Sequence, residues 1–476
     1  MQVLLLGING RYSHSNLALR YLRNEVEAEG HNTRLLEFEI TSKREDILQA
    51  IVGVSERNGV SAEPALLAGE PAPPDVVLIS VYVWNALLVR ALLPDIRSLL
   101  PEARLILGGP EVSYSVDEWL RRHPEISCVV PGAGEQAVRE LARRGFGTES
   151  RRVYSVPNRP FGEIPFPYQE NELAAMSYRY IYYESSRGCP CACSYCVSGR
   201  EDQAPEFRSL DQTVRELELI LAAERRLPSP PIVKFVDRTF NADPERARAI
   251  WSFLCTVDSN ATFHFEVHPA FLQDEDFAVL AEAPTGRFQF EIGVQSVHRR
   301  TLREIRRAGD WARSRPAVAR VLELGTVAVH LDLIVGLPHD GPKEIAESID
   351  DVLALKPRRF EIGFLKSLPG TVVRATAAQA GLVAMKDPPY HVLSSAWLGI
   401  GDIARLRDIE QLVDAVWNAN RLEQRLDALA ARRGGYYGAF LFLRERANRI
   451  GYNLATRQRH KVEAFVEESI SECSGA

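Results

Sequence analysis

Four of the chain's cysteines fall in one short run, Glu184-Ser185-Ser186-Arg187-Gly188-Cys189-Pro190-Cys191-Ala192-Cys193-Ser194-Tyr195-Cys196. Cys189, Cys193 and Cys196 have the spacing Cys-x3-Cys-x2-Cys, and the aromatic Tyr195 stands just before the last of them. Thiolates are the natural protein ligands of iron–sulfur clusters, and four normally saturate a 4Fe-4S cube. Three leave one iron open, and an open position is what lets a metal centre bind and activate a substrate. On that iron the amino and carboxylate groups of S-adenosylmethionine (SAM) could chelate, and an electron from the cluster could then cleave the sulfonium and release an adenosyl radical. A zinc knuckle is the competing use of close cysteines, but no second pair of Cys or His follows nearby. Cys191 lies inside the spacing. It either completes a four-thiolate set or is a buried spectator, and the spectator is the expectation. Cys128, Cys255 and Cys473 stand alone, and Cys255 reads as core. Seven cysteines in 476 residues are no disulfide scaffold, and their clustering points to metal or redox chemistry.

The elements that must position this run are legible as an α/β pattern. The cysteines follow a strand-like segment, Ile181–Glu184, and so should occupy the loop at its carboxyl end, the face where barrel enzymes place their chemistry. Further strands are expected at Ile232–Val236, Thr262–Val267, Phe288–Val294, Val327–Ile334 and Arg359–Phe364, with helices such as Leu210–Glu224 and Pro244–Leu254 between them. Six strands with crossover helices predict a (β/α)6 partial TIM barrel over residues 179–385. Residues 1–150 alternate in the same way, with strands at Gln2–Leu6, Thr33–Phe38, Asp75–Val83, Arg104–Leu107 and Cys128–Val130 and helices at Leu17–Ala28 and Leu87–Leu100. A loop rich in Ala, Gly, Glu and Pro closes at Pro71–Pro74. This is a Rossmann-like domain, and its glycines at strand ends, Gly108-Gly109-Pro110-Glu111 and Gly132-Ala133-Gly134-Glu135, lie where such sheets bind ligands. Residues 151–178 carry four prolines and read as a connector, and residues 386–476 as a small helical domain.

Period-two alternation puts Glu266 and His268 on one face of the third barrel strand, and Glu291, Gly293 and Gln295 on one face of the fourth. Ionisable groups inside a barrel are costly without a partner or ligand, which favours a site over a core. Composition is that of an ordinary soluble domain protein, 46% hydrophobic and 25% charged, with mean hydropathy -0.15. The net charge of -6 gives no support for nucleic-acid or membrane-surface binding. The basic pairs Arg299-Arg300 and Arg306-Arg307 read as solvated helix faces. No stretch approaches the ~18 consecutive apolar residues of a membrane span. The apolar start MQVLLLGING lacks a basic lead and a cleavage site, so it reads as a buried strand, and a cytoplasmic protein is expected.

The run YYESSRGCPCACSYC resembles the start of the radical SAM core, whose signature is Cys-x3-Cys-x-aromatic-Cys. The alternating region ahead of it resembles the cobalamin-binding domain joined to many such enzymes. NGRYSHSNLALRYL, GGPEVSY, VKFVDRTFNA, FHFEVHP, FEIGVQS, HLDLIVGLP and GFLKSLPGT resemble the subgroup that carries a C-terminal DUF4080 domain. The resemblance implies a 4Fe-4S cluster on Cys189, Cys193 and Cys196. It implies SAM contacts from Tyr195, Asp237, Glu266, Glu291, Gln295, Ser296 and Gly336, although the Gly-Gly-Glu-like segment usual near Asp237 is missing. It implies cobalamin against Tyr82, Trp84, Gly108, Gly109, Pro110, Glu111, Gly132, Gly134 and Glu135. The Asp-x-His-x-x-Gly motif is absent, and His14 stands outside any such pattern, so the lower cobalt face is expected to be unligated by protein. His268, His330, Asp332 and Lys366 are expected to line a substrate pocket between the barrel mouth and the cobalamin. The activity implied is methylation of an unactivated carbon or phosphorus of a small molecule or peptide, with an electron donor such as flavodoxin or ferredoxin. The rival readings are a radical SAM enzyme with other chemistry (rearrangement, ring contraction, transfer of another SAM fragment) and a non-catalytic redox-sensing metalloprotein.

Overall fold

The structure, a computed structural model, describes residues 1–53, 72–147, 151–177, 179–199 and 204–474. The expected loop closing at Pro71–Pro74 falls mostly outside the described residues. The chain divides into two compact units, one of Met1–Arg187, Glu206–Val236 and Ser259–Ala261, the other of Gly188–Pro205, Asp237–Asp258 and Thr262–Ala476.

In the first unit, β1 (Gln2–Asn9), β2 (Asn32–Glu39), β3 (Val76–Ser80), β4 (Arg104–Gly108) and β5 (Cys128–Val130) form a parallel sheet in the order β2-β1-β3-β4-β5. The strands are nearly continuous apolar runs because both faces are covered. Leu4, Leu6 and Ile8 pack with Ile47, Val89, Leu93 and Trp119 on one side, while Val3 and Leu5 pack with Leu19, Val26, Val138 and Leu141 on the other. Strand order reverses between β1 and β3, the switch point at which open α/β sheets bind ligands. β3 stops at Ser80, earlier than the apolar run suggested, because Asn85 folds the next residues into a turn. Its Oδ1 accepts from Tyr82 N at 2.8 Å, and its Nδ2 donates to Ile8 O at 3.0 Å and Ser80 O at 3.1 Å.

A buried ionic network ties the connector to this sheet. Arg20 and Arg179 both reach the Glu37 carboxylate, at 2.9 and 3.1 Å, and Arg20 and Arg23 reach Glu172 at 2.5 and 2.9 Å. All five side chains are buried. Burial alone would push the Glu37 carboxyl up. The charge and hydrogen bond of Arg20, with Arg179 and Asn9, outweigh it and hold the group at about 2.

Two further strands belong to the first unit, β6 (Ile181–Tyr183) and β7 (Ile232–Phe235), paired in parallel. In the second unit β8 (Thr262–Glu266), β9 (Phe288–Gln295), β10 (Val327–Val335) and β11 (Arg359–Phe364) pair in parallel succession. These four lie in the order β11-β10-β9-β8, and helices fill the crossovers, as expected of the alternating barrel pattern. Burial alternates residue by residue along β9 and β10. Phe288, Phe290, Ile292, Val329, Leu331 and Leu333 are buried, while Glu291, Gly293, Gln295, His330 and Asp332 take the opposite face.

The segment from 386 onward is not helical throughout. Val392–Ser394 pairs antiparallel with Val383–Ala384, and helices begin only at Ile400–Leu412, followed by Val413–Ala419, Glu423–Arg433, Tyr436–Ile450 and Arg459–Ser474. Pro388 and Pro389 lack the N–H groups a helix would need, which leaves this stretch to extended pairing.

Replacing Glu37 by Ala should leave the buried Arg179 guanidinium without its carboxylate and Arg20 with Glu172 alone, and cost about 3–5 kcal/mol, as for other broken buried ion pairs. Because the folded carboxyl lies below its ordinary value of 4.5, its contribution is complete above that pH and is lost as pH falls toward about 2. Thermal melts of wild type and the Glu37→Gln variant between neutral and acid pH should therefore converge. Equal melting at neutral pH would show that the network carries no stability.

Candidate functional site

The cysteine loop begins where β6 ends. Ser186–Arg187 pairs antiparallel with Glu206–Phe207, and the chain then turns at Gly188, whose φ of 94° is left-handed backbone that favours glycine. The loop's backbone is gripped at Ser194, whose N–H donates to Ile305 O at 2.9 Å and whose carbonyl accepts from Val373 N at 2.9 Å. On leaving, the chain crosses the loop at Gly199, where a Cβ would lie 1.8 Å from the Cys191 carbonyl oxygen. Only glycine permits that crossing.

The sulfur atoms sit among donors. Cys189 Sγ accepts from Cys191 N at 3.4 Å and lies 3.1 Å from Thr239 Oγ1, and Cys196 Sγ accepts from Ser198 N at 3.3 Å. A hydrogen bond from the Cys191 thiol, helped by Thr239 and opposed by burial, brings Cys189 down to about 6. Cys191, as the donor, is pushed far up. Burial raises Cys193, and the charge and hydrogen bond of Arg307 oppose the rise. Arg307 Nη2 also donates to Gly293 O, linking the loop to β9. Tyr195 is raised by burial and shares the environment of Arg307 and Cys193. Thiolate formation is favoured by such N–H donors and cations. The donor set therefore fits a cluster on Cys189, Cys193 and Cys196, with Cys191 as a proton donor to Cys189. Among the described residues no three Cys, His, Asp or Glu side chains are gathered tightly enough for a single metal ion. A cube takes its thiolates on separate irons and does not require such a gathering.

Across β8 to β11 the polar face collects most of the other expected residues. Register sets Glu266 beside Glu291, Glu291 beside His330, and Asp332 beside both Gly293 and Glu361. His264 Nε2 lies 3.0 Å from the Glu291 carboxylate, Gln289 Nε2 2.5 Å from His330 Nε2, and Arg238 3.6 Å from Glu266. Burial, then the like charges of Glu291, Glu361 and Glu266, hold the proton on Asp332 far above the usual carboxylate range. β9 is bulged between Gly293 and Gln295, and Gln295 takes a left-handed φ of 69°. Its amide folds back over Gly293, where a Cβ would fall 2.0 Å from Gln295 Nε2, and its Oε1 is buried without a hydrogen-bond partner. Beside it is a small gap of about 10 Å³, room for about one water molecule, lined by Leu333, Val335, Ile345 and Ile349, with Asp340 at its edge. Ser296 is fully buried and accepts from His298 N at 3.1 Å, and Gly336 turns the chain at φ 97°.

Three expected residues lie off this face, though His268 lines one gap with Gly293 and Arg307. Asp237 is wholly buried at the end of β7. His268 caps the short turn Pro269–Phe271, with its backbone held by the Asn241 amide at 2.9 and 3.0 Å. Burial, then Arg307, lowers its imidazole to about 3. Lys366 follows β11 and pairs with His391. Of the basic pair read as a solvated face, Arg306 is exposed but Arg307 turns inward. Arg307, Thr239 and Gly199 were not identified from the sequence. Only the small residue at 199 left a trace there, and one glycine is a weak signal.

At the carboxyl edge of the first sheet, Gly109 has φ 105°, and a Cβ there would lie 2.5 Å from Val81 O. Gly108 O accepts from Val81 N at 2.8 Å, Pro110 opens the turn Pro110–Ser113, and Gly132 N donates to Ser113 Oγ at 2.9 Å. Gly134 approaches the Leu22 side chain. Tyr82 and Trp84 stack at 4.4 Å with an 8° interplanar angle, and Trp84 is 49% exposed. Gly109 is thus required by the close Val81 backbone, while Gly132 faces open space, and with the exposed Trp84 ring it fits a large flat ring system. Glu111 and Glu135 are engaged in ion pairs, with Arg90 at 3.8 Å and Arg187 at 2.9 Å. His14 packs against Tyr180 and Tyr182 at 5.7 and 6.1 Å.

Comparison with known families matches residues 183–352 to the radical SAM superfamily, residues 68–142 to the B12 binding domain and residues 378–448 to DUF4080, a domain of unknown function. The chain thus carries a radical SAM domain. A radical SAM domain implies a 4Fe-4S cluster and SAM, and the B12 binding domain implies cobalamin. The chain is 30% identical over 151 residues to the 2-(S-pantetheinyl)-carbapenam-3-carboxylate methyltransferase of Streptantibioticus cattleyicolor, a match covering 26% of this chain and 22% of that one. It is 26% identical over 341 residues to the hopanoid C-3 methylase of Methylococcus capsulatus, covering 66% of this chain and 60% of the relative. The chain thus spans less than two thirds of either relative. In fold it resembles the cobalamin-dependent radical SAM enzyme OxsB with aqua-cobalamin bound, with a TM-score of 0.70 at 13% identity over 100% of this chain and 80% of that one. It also resembles the methyltransferase TsrM of Kitasatospora setae, with a TM-score of 0.61 at 18% identity over 81% of each chain. No helix among the described residues is long and apolar enough to cross a membrane.

Substituting Cys189, Cys193 or Cys196 by Ala should each abolish the iron–sulfur absorbance after anaerobic reconstitution, whereas Cys191→Ala should retain iron and sulfide. Gly199→Ala should lower cluster content by displacing the loop. Loss of the cluster in Cys191→Ala would make Cys191 a ligand.

Proposed function

We propose that this protein is a cobalamin-dependent radical SAM methyltransferase acting on an unactivated carbon or phosphorus of a small molecule or peptide. The observation that carries the proposal is the union, in one chain, of a B12 binding domain with a three-cysteine loop at the end of the first barrel strand. When bound, the cluster and SAM would supply an adenosyl radical and the cobalamin a methyl group.

The chain's own residues would prepare the site. Arg307 steadies Cys193 and the Gly293 turn, and Cys191 keeps its proton directed at Cys189. The Gln295 amide oxygen, buried without a hydrogen-bond partner, would offer an acceptor to an N–H donor such as the adenine of SAM. Asp332, protonated, can donate a hydrogen bond, while Glu266 and Glu291 accept, so the polar face can orient a substrate carrying both kinds of group. The stacked Tyr82 and Trp84 and the open turn at Gly132 would offer the corrin a flat bed. His14, packed against two tyrosines, is no lower ligand in this reading.

The test is anaerobic reconstitution with iron, sulfide and hydroxocobalamin, followed by SAM and a reductant such as flavodoxin. The protein should retain corrinoid and cleave SAM, and with a methyl acceptor should give both 5′-deoxyadenosine and S-adenosylhomocysteine. The cobalt(II) form should lack nitrogen hyperfine splitting from histidine in electron paramagnetic resonance. Corrinoid retention with 5′-deoxyadenosine alone would favour non-methylating chemistry. Failure to cleave SAM at all would leave a redox-sensing metalloprotein.

A further inference from the structure

The DUF4080 segment contributes two of three basic side chains that meet just beyond β11. Lys366 follows that strand, and the chain at 390–392 runs antiparallel to it, with Ser367 N donating to Tyr390 O and Val392 N to Leu365 O, both at 2.9 Å. Lys366 and His391 are direct partners across this bridge, so their side chains leave on the same side. From the helix Ile400–Leu412, Arg407 lies over the Phe364 ring at 4.1 Å, two residues before Lys366.

All three side chains are partly buried, and among the described residues none forms an ion pair with a carboxylate. Glu410, one turn along from Arg407, interacts with it only at longer range, and its own carboxyl is raised by burial and by Asp414 and Glu361. His391 Nδ1 is buried with no hydrogen-bond partner. Burial and Arg407 draw the Lys366 ammonium down, and burial, Arg407 and Lys366 draw His391 down to about 4. Like charges converging without an anion, around a buried unpaired nitrogen, make an arrangement that a bound anion would relieve.

We propose that Lys366, His391 and Arg407 form a binding site for an oxyanion, the carboxylate or phosphate group of a ligand, and that the DUF4080 segment completes it. Arg407 offers a planar fork suited to two oxygens, Lys366 a compact charge, and His391 a ring N–H. The site stands whether or not the enzyme transfers methyl groups.

The probes are inorganic phosphate and, separately, acetate, added to the full-length protein at pH 6. Calorimetry reads binding, and carbon-13 histidine spectra, with His391 assigned through His391→Gln, read the ring. At least one anion should bind and move His391 toward its imidazolium form. Phosphate without acetate would identify a phosphate ligand, and acetate binding a carboxylate. Lys366→Gln and Arg407→Gln should each weaken binding by about tenfold or more, while Lys366→Arg, which keeps the charge, should retain most of it and serves as the folded control. The site is refuted if neither anion moves His391, or if binding survives undiminished in both glutamine variants.

Discussion

The backbone of Ser194 is held from both sides, by Ile305 O and by Val373 N, and the rest of the site depends on that grip. A loop bearing four thiols has little apolar surface to bury and no regular hydrogen bonds of its own. Borrowing one partner from the segment after β9 and another from the segment after β11 gives it a fixed place relative to both strands. Arg307 extends the same link, since one guanidinium meets Gly293 O and the Cys193 sulfur. The bulge in β9 follows from this: the strand must turn its carbonyl toward Arg307 where Gln295 folds back.

Charge is handled differently in the two units. In the first, opposite charges are interleaved and buried, Arg20 and Arg179 on Glu37 and Arg20 and Arg23 on Glu172. That is a structural arrangement, in which each carboxylate is satisfied by guanidinium groups. In the second, carboxylates on neighbouring strands face one another and one of them keeps its proton. Such opposed placement costs stability and is characteristic of sites prepared for a ligand.

The strands and the cysteine run were readable in the sequence because both are local patterns. Apolar runs ending in glycine mark parallel strands buried on both faces, and thiol spacing is fixed within one loop. Glu266 and His268 on one strand, and Glu291, Gly293 and Gln295 on the next, could be assigned to one face each by period-two alternation, which in the second of these strands is kept only as far as the bulge after Gly293. What stayed hidden depends on contacts far apart in the chain. Nothing near Arg307 distinguishes it from Arg306, and only the fold turns one inward. His268 and Asp237 follow the alternation up to the strand ends and then enter turns, where it no longer applies. His391 meets Lys366 only because two prolines keep 388–392 from joining the helices around it.

Gln295 and Gly293 are bound to each other by space. The amide at 295 occupies the volume that any side chain at 293 would need, and its own left-handed backbone is tolerated only because the bulge demands it. A Cβ at 293 is therefore admitted only if the Gln295 amide, the far end of a flexible side chain, swings away from where its Oε1 is now buried. The bulge thus works as a coupling, through which a change at a backbone position is felt as a displacement of a polar group two residues on.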